Sequence, residues 1–429
     1  MQRLPLVATV VLSLVVTLAQ ARRLPSVVRD TKCLIQDHGA DEGNDDNLKA
    51  IHAAISACAG GGTVVVAGGH YKTSPIKVHN AVNLLIEVQA DASLVTAPGP
   101  DEWPTDDDGM VPFILFKNTT GCSLGGDGVV WGRGGRPPGG SDWYYKFDQG
   151  KIDDTPHFIV ITGGSNFQLY DLTILDSPSF NVVLDGVQGA EVSGVNITST
   201  WYTDPDSGKL KEPHNTDGID PMNGAQDIWI HDTFIHNGDD AIAVKGLDGD
   251  PSTCTSNVLV ENCQFELGHG ASIGSVGSGC VKDVVFRNID MYQMDNGCRV
   301  KTHTADSGRG RIKNITWSNV KMTGDTGNCV TVTASDDKFV KGKIDNSTHF
   351  NGDDDGVKIS DLTFEHITGD GCEKGAEFIC KDSMPCTDIT LNDFHVDGGD
   401  MDCENAEGTA DDTDPDSCLS DLPALTSIA

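Results

Sequence analysis

An all-β solenoid, a parallel β-helix, is the fold class that this sequence predicts, and three observations carry it. From residue 167 onward an eight-residue pattern recurs: apolar, any, apolar, any, Asn/Asp/Gly, mostly apolar, any, apolar. No stretch holds a 3.6-residue apolar period through several turns, which sets aside a helical solenoid. Glycine is abundant, at 49 of 429 residues, as a chain of many tight turns requires. Self-similarity of this kind marks stacked units, each too small to bury its apolar face alone.

The elements follow in chain order. Residues 1–21 carry Arg3, an apolar run Leu6 to Leu18 and the small-residue site Ala19-Gln20-Ala21, the layout of a secretory signal peptide. The run is short for a membrane span, so a soluble, secreted, extracellular protein is expected, with a signal anchor as the alternative. Asn44 to Ala59 is the one good helix candidate. Asp45 or Asp46 can cap it, Leu48, Ile51, Ile55 and Cys58 make an apolar stripe, and Gly60-Gly61-Gly62 ends it. It would shield the open end of the solenoid.

The pattern is read at Phe167 to Ile174, Ala190 to Ile197, Ile228 to Ile235, Val258 to Phe265, Val284 to Met291, Ile315 to Met322, Val357 to Phe364 and Ile389 to Val396. Alternation argues strands, and the fifth position (Asp171, Gly194, Asp232, Asn262, Asn288, Asn319, Asp361, Asp393) bends one strand into the next by tolerating left-handed backbone. The fold expected is one catalytic domain over 22–403, followed by an acidic tail at 404–429 outside the solenoid, tethered if Cys403 pairs with Cys418.

Acidic residues outnumber basic ones by 64 to 30, a formal charge of −34, which excludes nucleic acid and anionic membrane as partners. A polyanionic ligand would need local positive charge, an acidic medium or salt screening. Acidic runs Asp106 to Asp108 and Asp353 to Asp355 are read as solvated loops rather than calcium sites. Thirteen cysteines in a secreted chain imply disulfides, with Cys372, Cys380, Cys386, Cys403 and Cys418 stapling the C-terminal end; the odd count leaves at least one thiol over, expected to be buried. Asn118, Asn196, Asn314 and Asn346 begin N-x-Ser/Thr sequons.

Four segments gather polar residues where coil turns would lie: Asn215-Thr216-Asp217-Gly218, Asn237-Gly238-Asp239-Asp240, Gly268-His269-Gly270 and Arg299-Val300-Lys301. Each alone reads as an ordinary turn. Successive segments lie about one coil apart, so in a solenoid they stack side by side into one patch. Hydrolysis of a glycosidic bond needs one protonated carboxyl and another carboxylate to activate water, and crowded aspartates cannot all ionise. Arg299 and Lys301, two apart on a strand, point to one face and can hold a substrate carboxylate, or can merely neutralise the aspartates.

At these residues the chain resembles the polygalacturonases of glycoside hydrolase family 28, whose signature is Asn-Thr-Asp, Gly-Asp-Asp, Gly-His-Gly and Arg-x-Lys in this order. The likeness extends through Gly268 to Ser275 and to Asp37-His38-Gly39-Ala40 with Asp45-Asp46, roughly residues 30 to 400. The resemblance implies a right-handed β-helix and an inverting hydrolase of polygalacturonic acid (pectin), a monomer with no cofactor and no metal. In it Asp239 is the general acid, Asp217 and Asp240 activate the water, His269 tunes or places the acid, Arg299 and Lys301 bind the galacturonate carboxylate, and Asn215 orients its neighbours. Two departures stand out: Ala241 where many members carry Cys, and no tyrosine after Tyr292 where many carry one beyond the Arg-x-Lys motif. Trp143, Tyr144, Tyr145 and Tyr202 are open between sugar platforms and packing.

The alternatives are a calcium-dependent pectate lyase, a rhamnogalacturonan or xylogalacturonan hydrolase, and a non-catalytic pectin-binding β-helix. The aspartate trio favours hydrolysis over elimination. Retention of His269, Arg299 and Lys301 favours plain polygalacturonate, and intact Asp217, Asp239 and Asp240 disfavour a binding-only protein.

Overall fold

The computed structural model describes residues 29–303, 310–334 and 356–420. The segment expected to be a signal peptide, the sequon at Asn346 and the run Asp353 to Asp355 lie outside the described residues. Two long parallel sheets, of nineteen and eleven strands among the described residues, wind together as a right-handed parallel β-helix.

Strand stacking follows from side chains lining up coil on coil. In the eleven-stranded sheet one inward position runs Ile159, Val182, Ile219, Ile242, Ala271, Cys298, Val330 and Ala376 through successive registers, every one fully buried. On the other sheet Phe286, Trp317 and Phe364 pair in register and stack nearly parallel, with ring centroids 5.5 and 4.9 Å apart. Burying each such side chain contributes about 1.5–3 kcal/mol, repeated at every coil.

All eight bend positions read from the repeat take positive φ, from 50° at Asp393 to 64° at Gly194. A strand pair therefore turns a corner at a single residue, and the asparagines among them link coils: Asn288 Nδ2 donates to Asn262 Oδ1 at 3.0 Å and Asn319 Nδ2 to Asn288 Oδ1 at 2.9 Å. The solenoid begins earlier than the repeat suggests, with strands Lys32–Leu34, Thr63–Val66, Leu85–Val88 and Ser123–Gly125 already in the ladder. Their corners take several residues, as at Gln89 to Asp91, and a template with one bend residue misses them.

The capping helix runs Leu48–Ala57, shorter than the sequence span. Asp46 Oδ1 accepts the Leu48 N–H at 2.9 Å, and Ala50, Ile51 and Ala54 are buried against the first coil. The domain boundary at 403 requires correction. Ala406–Asp414 is a further strand, parallel to Cys386–Val396, so the solenoid continues into the acidic segment. Its alternating residues are small (Ala406, Gly408, Ala410), and small residues do not register as an apolar strand.

Disulfides join Cys33–Cys58, Cys254–Cys280, Cys329–Cys372, Cys380–Cys386 and Cys403–Cys418, which staples both ends; Cys122, Cys263 and Cys298 are buried free thiols. Asn118, Asn196 and Asn314 are exposed. Trp143, Tyr144 and Tyr202 are buried, so packing is their use, while Tyr145 lies half-buried between Arg136 and Lys151.

Candidate active site

Four consecutive rungs of the eleven-stranded sheet carry the sequence motifs: Ile219–Met222, Ile242–Val244, Ala271–Val276 and Asn296–Thr302. Asp217, the Asp239/Asp240 pair and His269 lie in the turns entering the first three, and Arg299 and Lys301 lie within the fourth. The rungs stack in register through Ile219, Ile242, Ala271 and Cys298, so segments 22 to 30 residues apart in sequence become lateral neighbours.

The turns are locked to one another. Asn237 Nδ2 donates to Thr216 O at 2.8 Å and to Asp240 O at 2.9 Å, and Gly238 N–H donates to Thr216 Oγ1 at 3.0 Å. Only glycine fits at 268. Its φ is +69°, and a Cβ there would stand 2.2 Å from Asp239 O.

The side chains expected at the site, except that of Asn215, fall into two adjoining groups, one of Asp239, Asp240, His269, Arg299 and Lys301 and one of Asp217 with Lys245. Asp239 Oδ1 accepts from His269 Nδ1 at 3.0 Å and from Asp240 N–H at 2.9 Å, while Oδ2 accepts the backbone N–H of Asn215 at 3.2 Å. Asn215 thus contributes through its backbone, which has φ +55°. Asp240 has no exposed surface; Ser272 Oγ donates to its Oδ1 at 2.7 Å, Lys301 Nζ to its Oδ2 at 2.5 Å, and Arg299 Nη1 stands 3.7 Å from Oδ1. Asp217 keeps 5 % of its side chain exposed and Asp239 18 %, so Asp239 is the carboxyl most open to the cleft.

Two residues absent from the sequence reading complete the second group. Lys245 Nζ donates to Asp217 Oδ2 at 2.8 Å and to Asp220 Oδ2 at 2.5 Å, and it stands 4.0 Å over the Phe180 ring. Asp220 lies three residues past Asp217 and Lys245 five past Asp240, so proximity to the motifs was the available signal. On the opposite rim Asp295 Oδ2 is 3.6 Å from His269 Nε2.

Burial raises the Asp217–Asp220 pair above the usual carboxylate range against the opposing charge of Lys245. Burial would raise Asp239 too, but the His269 hydrogen bond, the His269 and Lys301 charges and the Asp240 N–H hold it well below that range. For His269 burial works downward and the bond to Asp239 overrides it, so its pKa is raised.

A sequence model of the family described as glycosyl hydrolases family 28 matches residues 60–416. The chain belongs to this family. It is a glycoside hydrolase whose relatives include polygalacturonases and rhamnogalacturonases. It is 26 % identical over 418 residues to Rhamnogalacturonase A of Aspergillus niger, covering 92 % of this chain and 78 % of that one. It is 30 % identical over 292 residues to an endo-polygalacturonase of Pectobacterium carotovorum subsp. carotovorum, covering 63 % and 68 %. In fold it is similar to an endo-xylogalacturonan hydrolase from Aspergillus tubingensis (TM-score 0.72, 21 % identity, 89 % of this chain and 99 % of that one) and to a polygalacturonase from Erwinia carotovora ssp. carotovora (TM-score 0.67, 21 % identity, 91 % and 99 %).

At this site of the family 28 hydrolase, among the described residues, two overlapping groups could approach a metal: Asp239, Asp240 and His269, and Glu212, His269 and Asp295, each with ligand atoms within 4.8 Å of one another. In the first group both Asp240 oxygens already accept protein donors, one of them from the cationic Lys301.

Proposed function

We propose that the chain is a secreted polygalacturonase that hydrolyses the α-1,4-galacturonosidic bonds of pectin with inversion. One observation carries the substrate: Arg299 and Lys301 stand on one strand beside the aspartate cluster, placing a fork and an ammonium where a sugar carboxylate can be held.

In this reading Asp239 protonates the leaving oxygen and Asp217 takes the proton of the attacking water, since Asp240 is wholly covered. Asp240 fixes Ser272, Lys301 and Arg299, and His269 places Asp239. A galacturonate carboxylate also solves a problem of the free site, where Asp239 is held ionised in part by the Lys301 charge. Adding a negative group at Arg299 and Lys301 offsets that charge and closes the site to water. Both effects raise Asp239 toward the protonated form that a general acid needs. An acidic sugar thereby primes the acid that cuts it.

A rhamnogalacturonan hydrolase is the second reading, favoured by the likeness to Rhamnogalacturonase A across 92 % of the chain. Incubation with polygalacturonic acid and chelator at mildly acidic pH separates the readings. Saturated galacturonides are expected; unsaturated products would establish a lyase, and no product alongside cleavage of rhamnogalacturonan would establish the second reading.

A further inference from the structure

We propose that Asp220 and Lys245 form a charge-setting unit behind Asp217: two carboxyls share one ammonium and one proton, and Asp220 keeps the proton so that Asp217 faces the cleft ionised. The proposal rests on Asp217 being the carboxylate that activates water.

The geometry supports it in three steps. The two aspartates each place an oxygen within hydrogen-bond reach of the same Lys245 Nζ, at 2.8 and 2.5 Å. A single buried ammonium cannot balance two adjacent buried anions, so one carboxyl retains a proton. Which one retains it follows from the surroundings. Asp220 is fully buried and its Oδ1 has no partner, an unfavourable state for an ionised oxygen. Asp217 alone of the pair touches solvent.

The charged groups facing this unit are Asp239 and Asp240 on the cleft side, which add negative charge, and His157 on the far side. His157 stacks on Phe180 at 4.6 Å and is held toward its neutral form by burial and by Lys245. The ammonium sits on the Phe180 ring with the two carboxylates in front of it, which fixes its position as well as its charge. Lys245 and Asp220 are positioning residues: they act on the water through Asp217.

Two variants test this. In Asp220→Asn the partner stays neutral, as the proposal has it, so the acidic limb of kcat/KM should remain within about 0.3 pH unit of wild type. In Lys245→Met the limb should move up by about one pH unit with KM little changed, and Lys245→Arg should restore most of the wild-type profile. Equal limb shifts in the two variants, or none in Lys245→Met, with parallel loss of kcat and rise of KM would mean a packing role only and would overturn the proposal. A second readout needs neither substrate nor a stable Lys245→Met protein. The infrared carbonyl band of the buried carboxylic acid, present in wild type at mildly acidic pH, should disappear in Asp220→Asn; its persistence would place the proton elsewhere. If polygalacturonate is not cut, the limbs are read on the galacturonan that is, which separates failure of the substrate reading from failure of this one.

Discussion

Asp239 illustrates how one side chain can be fixed in place and still depend on its neighbours for its charge. Replacing it with Asn keeps the shape and the acceptor for His269 but removes the proton donor. Asp239→Asn should lose nearly all turnover, about 10²–10⁴-fold or more, with unchanged circular dichroism and thermal midpoint. Charge also sets the pH dependence of stability. Asp220 is raised from 3.8 to about 6, so over that interval the unfolded chain gives up its proton first and stability falls as pH rises, by on the order of 3 kcal/mol. His269 is also raised and adds a further loss as pH climbs through its folded value. Asp239 is depressed, and its contribution fails only when the medium becomes strongly acidic. Calorimetry should therefore find the highest Tm in mild acid, with a decline toward neutrality that is smaller in Asp220→Asn. The site was legible in the sequence where chemistry sits in turns, as at Asp217, Asp239, Asp240 and His269. Asp220 and Lys245 offered no signal beyond nearness to the motifs, because each stands within or at the end of an apolar strand and acquires meaning from the rung beside it.

Among the elements, the corner residue is the unit that turns strands into a coil. Asn288 holds φ +54° and exchanges amide hydrogen bonds with Asn262 below and Asn319 above. Asn288→Ala loses both bonds and strains the backbone, and it should cost about 2–3 kcal/mol in denaturant unfolding. Asn288→Gly, which keeps the backbone but not the bonds, should cost less; equal losses would show that the ladder alone matters. The same chemistry explains what the sequence disclosed. Eight corners made by one Asn, Asp or Gly were readable at once, whereas corners of several residues near Gln89 and Gly126 hid the first coils. The final strand, built on Ala406 and Gly408, was hidden for want of bulk.

For the whole molecule the dominant quantity is a net charge of −34 surrounding a cleft that offers Arg299, Lys301 and Lys245. A polygalacturonate chain, the substrate proposed, would approach against a repulsive field and be attracted only at short range. Raising ionic strength from about 0.01 M to 0.15 M shortens the screening length from roughly 30 to 8 Å, so KM should fall with added salt before short-range contacts weaken. A steady rise of KM over that range would show that the local cations dominate at all distances.

The last rung, Ala406–Asp414, meets Cys386–Val396 on one side, and on the other, among the described residues, only its start is covered, by Ser420. Past that point stand Asp411, Asp412 and Asp414, all exposed. Backbone groups left unpaired on a strand edge invite a further strand. Three like charges on that edge make every copy repel its twin there. Charge at that edge is thus expected to oppose addition of another copy's like-charged edge, in the same sense as it opposes an anionic ligand.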